Sequence, residues 1–101
     1  MKNLTSIDHI AIESNDIAKS VDWYKNKFNC KIKYQDNSWA MLEFKNVSVA
    51  LVVPGQHPPH FAVVDETIGE LSKSKVHRDG IKYLYEKDPD ENYIERIDKP
   101  S

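Results

Sequence analysis

The chain has a single cysteine, Cys30, so no disulfide can form within it. That usage fits a reducing compartment, and a cytoplasmic location is expected. Glycine is scarce, with three residues, and proline contributes five, which excludes collagen-like and low-complexity linker sequence. No apolar run approaches the roughly 20 residues of a membrane span. The opening MKNLTSIDHI also lacks the apolar centre of a signal peptide, so no membrane partner is expected. An excess of one charge is missing too. The formal net charge is −2, with both signs interspersed, and neither nucleic acid nor an acidic membrane has an electrostatic claim on this surface. What is present, 40% hydrophobic and 30% charged residues, is the make-up of one globular domain with a modest core, residues 1–101.

Within that domain the chain begins again. His60 opens the run HFAVV, which repeats the run HIAIE opened by His9. The alignment continues without a gap: Ala11 falls on Ala62, Ile12 on Val63, and Ile17 on Ile68, where each run gives way to a helical pattern. Two modules follow, residues of about 5–54 and 58–98, joined by the turn-rich stretch Pro54–Pro59.

The first module reads clearly. Ile7 to Glu13 alternates as a strand, with Ile7, His9 and Ala11 on one face and Ile10 and Ile12 on the other. Asp16 is placed to cap a helix whose apolar positions are Ile17, Val21, Tyr24 and Phe28, ending near Asn29. Cys30–Tyr34 is a lysine-bearing strand expected at a sheet edge. Ser38–Phe44 and Val47–Val53 follow it, separated by tight turns, and complete a βαβββ unit. In the second module a helix is expected from Thr67, its cap, through Ile68 and Leu71 to Lys75, weakened by Gly69. Strands are expected over Ile81–Glu86 and Asn92–Ile97. Little room is left between Lys75 and Ile81 for the strand that occupies this place in the first module, so the second is expected to be shortened.

These parts, IDHIAIESNDIAKSVDWYKNKFNC, the join PPHFAVV and the closing KDPDENYIERID, resemble the vicinal oxygen chelate superfamily. That superfamily groups glyoxalase I, bleomycin-resistance proteins, fosfomycin-resistance proteins and extradiol dioxygenases. The resemblance covers nearly the whole chain. It implies an α+β fold in which two βαβββ modules form a curved mixed sheet, a half-open barrel, with helices on the outside. It also implies one divalent metal ion (Fe, Mn, Ni or Zn) held by His9, His60 and Glu95. Two imidazoles and a carboxylate make the facial triad that suits such ions and leaves positions open for substrate. The position matching Glu95 in the first module is Ala50, which can neither bind a metal nor move a proton, so ordinary glyoxalase I chemistry is disfavoured. The resemblance places glycine where Glu91 stands, and a type I turn there accommodates glutamate.

Two functions from different classes remain open at this point, beside a third, a partner-binding module with a decayed pocket, to which the shortened second module adds weight. One is a metal-dependent enzyme, of lyase, transferase or dioxygenase type, acting on a small oxygen-rich molecule with the metal as Lewis acid. The other is a bleomycin-resistance-like protein that sequesters a small molecule without metal. Trp39, Met41, Tyr83 and Tyr85 are expected to line the pocket in either case. Glu43, on the face of its strand shared by Trp39 and Met41, is either a general base or a rim residue near a lysine. His57 is expected in a solvated loop, and His77 on the surface. A homodimer is expected, since so small a sheet has edges to protect.

Overall fold

The computed structural model describes residues 3–68, 75–76 and 81–98. The expected second helix beyond Ile68, with Gly69 and Leu71, and the surface position of His77 lie outside the described residues. Eight strands and one helix are described: β1 (Ile7–Glu13), α1 (Ile17–Lys27), β2 (Lys31–Gln35), β3 (Trp39–Glu43), β4 (Ser48–Val52), β5 (His60–Val64), β6 (Lys75–Val76), β7 (Lys82–Lys87) and β8 (Tyr93–Asp98). They give an α+β fold with a mixed sheet. The chain divides into two compact units, His9–Pro59, and Met1–Asp8 with His60–Ser101.

Strand by strand, the two modules are built alike. In the first the neighbours run β2-β3-β4-β1, and in the second β6-β7-β8-β5. The opening strand of each lies parallel to its closing strand, β1 with β4 and β5 with β8. Each closing strand pairs antiparallel with the strand before it, and that strand with the one before it. β6 is the shortened strand expected here, though it comes at Lys75 and Val76, which pair with Tyr83 and Lys82. Two residues suffice to complete the repeat, and a run that short carries no alternation to be read from sequence. Lys75 accordingly belongs to a strand and not to the expected helix.

In the first unit the core forms where α1 crosses β3 and β4. Ile17 and Val21, four apart and therefore on one helix face, are buried with Cys30, Ala40, Leu42 and Leu51, and Ile12, Tyr24, Phe44 and Val53 pack around them. The Asp16 side chain accepts from the Lys19 N–H, as the sequence predicts, and Lys25 and Lys27 sit in the last turn where the helix dipole favours cations. Strand β2 is exposed along its whole length, and its ladder slips between Ile32 and Tyr34.

In the second unit the Asp65 carboxylate closes a turn after β5, accepting from both the amide and the hydroxyl of Thr67. The four-residue turn Asp88–Glu91 closes with the Glu91 N–H donating to the Asp88 carbonyl at 3.0 Å, and Glu91, its last residue, has a φ of 68°, in the left-handed region. Asp88 organises this turn, its carboxylate accepting from the amides of Asp90 and Asn92 at 2.9 Å each. A side chain with a Cβ costs about 1–2 kcal/mol in that conformation, against which glycine's extra freedom in the unfolded chain sets roughly 0.4–1 kcal/mol. Glu91→Gly is therefore expected to raise stability by about 0.5–1 kcal/mol, read from the urea midpoint. The exposed Lys87–Glu91 pair that would be lost, 3.6 Å apart, is worth little.

Candidate metal centre

His9, His60 and Glu95 are buried, and each offers one donor atom of the kind that holds a metal ion. Alternation fixes their faces. On β1 the burial pattern turns His9 and Ala11 inward, while Ile10 is 41% exposed and Ile12 packs toward the helix, so only part of the second face is covered. On β5, His60 and Ala62 are buried and Phe61 is exposed. On β8, Glu95 and Ile97 are buried.

The ladders confirm the correspondence between the modules. Ala11 stands opposite Ala50 in the first, and Ala62 stands opposite Glu95 in the second. Ala50 thus occupies the place of Glu95, as the repeat predicts. The histidines are matched in the same way, His9 opposite Ser48 and His60 opposite Tyr93.

One face of the second unit gathers His60 from β5, Tyr93 and Glu95 from β8, and Tyr83 and Tyr85 from β7. His60 Nε2 and Glu95 Oε1 lie 3.3 Å apart, and the Glu95 side chain is only 2% exposed. Two donors on one ion, each about 2.1 Å from it and about a right angle apart, stand roughly 3 Å from each other. The pair therefore fits adjacent positions on a divalent ion. Tyr85, directly opposite Glu95 in the antiparallel ladder, sets its ring edge-on to His60 at 5.1 Å and packs against Tyr83 at 5.7 Å and Tyr93 at 6.3 Å. Its phenol is pushed above the ordinary tyrosine range, first by burial and then by the negative Glu95 carboxylate, to which it also hydrogen-bonds.

The remaining expected site residues are placed as follows. Trp39 and Met41 are half-buried on β3, with Trp39 stacked on Tyr34 at 4.4 Å between ring centroids. Glu43 is exposed at the end of β3, opposite Lys31 in the ladder, which fits the rim reading rather than that of a buried base. His57 lines a cleft of about 230 Å³ with Glu13, Gly55, Gln56 and Pro58. Sequence reading passed over Ser48 and Tyr93, which stand opposite the two histidines. Strand pairing brings them there, and pairing partners carry no signal in a single sequence.

The opposite face of β8 carries an ion-pair network. Arg96 donates to Asp65 and to Glu86, each at 2.8 Å. Asp65 is held below the usual carboxylate range by the Thr67 hydroxyl and amide and then by Arg96. A carboxyl depressed in the folded state stabilises at pH values above its unfolded pKa of about 3.9, and that contribution fades as pH falls through the folded value. Asp65→Asn is thus expected to lower the urea midpoint at pH 7, with the gap from the parent chain closing toward pH 3.

Comparison with known proteins places the fold. The structure resembles a hypothetical protein from Bacillus halodurans C-125 (TM-score 0.77, 15% identity, covering 98% of this chain and 97% of that one). It also resembles methylmalonyl-CoA epimerase from Mycobacterium tuberculosis (TM-score 0.75, 13% identity, covering 100% and 94%). A third likeness is to a glyoxalase/bleomycin resistance protein/dioxygenase superfamily member from Vibrio splendidus 12B01 (TM-score 0.65, 15% identity, covering 93% and 98%). Identities this low speak to architecture alone. A search of curated proteins gave no match. The family model of the Glyoxalase/Bleomycin resistance protein/Dioxygenase superfamily matches residues 6–73, more than half of the sequence and both histidine-bearing strands. The chain belongs to that superfamily.

Proposed function

We propose that this chain binds one divalent metal ion through an imidazole nitrogen from each of His9 and His60 and a carboxylate oxygen of Glu95, and acts as an enzyme on a small oxygen-rich molecule. The observation that carries the proposal is the buried His60–Glu95 pair, whose donors are spaced as two ligands of one ion. A carboxylate this deeply buried is costly without a cation or a set of donors to hold it. His9 enters the set through chain continuity. The Val64 N–H of β5 donates to the Ser6 carbonyl at 3.0 Å, and His9 follows three residues later on the strand that begins at Ile7.

A bound divalent ion supplies Lewis acidity toward substrate oxygens. The residues of this chain do the rest. His9, His60 and Glu95 hold three positions and leave others for substrate, while the half-buried Tyr83, Tyr85, Trp39 and Met41 provide surface for its carbon skeleton. With alanine at position 50 the first module contributes no carboxylate, so proton transfer of the ordinary glyoxalase I kind is not among the expected reactions.

The test is metal content. Protein purified without chelator should carry about one ion per chain, lost in His60→Ala. A metal-free chain that takes up no added Mn²⁺, Ni²⁺ or Zn²⁺ yet binds a flat aromatic molecule would establish the sequestering function instead.

A further inference from the structure

We propose that Tyr85 is a positioning residue for the metal-binding carboxylate: its phenol holds Glu95, and its ring fixes the edge of His60, so one side chain orients two ligands. The assignment rests on the metal-binding reading above, but its geometry lies wholly within one unit. Tyr85 and Glu95 are direct partners across the β7–β8 ladder, so their side chains leave the sheet side by side on the same face. The phenol oxygen and the carboxylate are hydrogen-bonded, with the O–H as donor. On the other flank, β5 presents Ala62 to Glu95, and a methyl group donates nothing.

Rigidity comes from the surrounding rings. Tyr85 meets His60 at an interplanar angle of 86°, Tyr83 at 79° and Tyr93 at 88°, so its edge or face is fixed in three directions. A donor held this way locks the rotamer of the carboxylate and occupies one of its lone pairs. The bond raises the order of the site before metal arrives. Tyr83 shares the face but stands opposite Ile97, one pair removed from the carboxylate. The control is taken from the other unit: Tyr24, on α1, which packs against the core there.

Tyr85→Phe keeps the ring and deletes the donor. It is expected to weaken Zn²⁺ binding about 10–100-fold, measured by competition with a chromophoric chelator. Tyr24→Phe, which deletes a phenol on α1 in the unit that carries neither Glu95 nor His60, is expected to leave affinity within about twofold. Retention of the far-ultraviolet spectrum would show that both variants fold. A second measurement needs no metal: a double-mutant cycle of Tyr85→Phe with Glu95→Gln, by urea denaturation of chelator-treated protein, should show roughly tenfold coupling in the folding equilibrium. If the parent chain binds Zn²⁺ and Tyr85→Phe binds it equally well, the positioning role is overturned while the metal reading stands. If the parent binds no metal but the coupling is present, Tyr85 still positions the carboxylate and the metal reading falls. Absence of coupling overturns the proposal in either case.

Discussion

His60→Ala is expected to abolish the proposed metal binding. Structural Zn²⁺ sites gain about 10–16 kcal/mol from four ligands, so one ligand accounts for about 3–4 kcal/mol, on the order of 10²–10³ in affinity. The loss falls on a buried pair whose separation of 3.3 Å matches adjacent coordination positions. Thermal unfolding supplies an independent readout. At a free-ion concentration 100 times the dissociation constant, a ligand that binds only the folded chain stabilises it by about 2.7 kcal/mol. In a domain near 100 residues that raises Tm by roughly 10 °C or more. The parent chain should show this shift on adding metal and lose it with chelator, and His60→Ala should show none. An equal shift in both proteins would mean that the ion sits elsewhere.

Leu42→Ala is expected to cost about 2–5 kcal/mol, a large share of the 5–15 kcal/mol that holds a domain of this kind together. Leu42 is fully buried, at 0% exposure, on the inner face of β3. It packs with Ile17 and Val21 of α1, and with Ala40 and Leu51 of the sheet. Several of its neighbours are small, so the hole left by a missing isobutyl group has few long side chains to collapse into it. Leu42→Met keeps the volume and should cost less than about 1.5 kcal/mol. Urea midpoints of the two variants, compared at unchanged slope, check the pair. A cost below about 1 kcal/mol for the alanine variant would mean that α1 is not docked on β3 in solution.

Much of this architecture is legible in the amino-acid order because the repeat is physical. A histidine at the same point of two strands, followed by alanine two residues later and isoleucine at the head of the next element, imposes the same face and length on both copies. Ala50 and Glu95 could therefore be matched from sequence, and the ladders place them opposite Ala11 and Ala62. Asp16 was equally plain, because a cap bonds to an amide three residues away. What stayed hidden depends on partners distant in the chain or on one torsion angle. The two-residue strand β6 exists only through its pairing with β7. Glu91 adopts a positive φ that its residue type argues against. Tyr85 lies on the expected face, but alternation gives faces and not register, so its opposition to Glu95 could not be foreseen.

The outer strand β2 has a bearing on behaviour at high concentration. Its five residues are all exposed, two of them lysines, and the slip between Ile32 and Tyr34 breaks the even spacing of its backbone groups. A strand from another molecule adding there would have to bring its own chain up against two ammonium groups and match an uneven row of donors and acceptors. Stacking of copies into fibres is discouraged on that side by charge and by misfit together, with no covering element required.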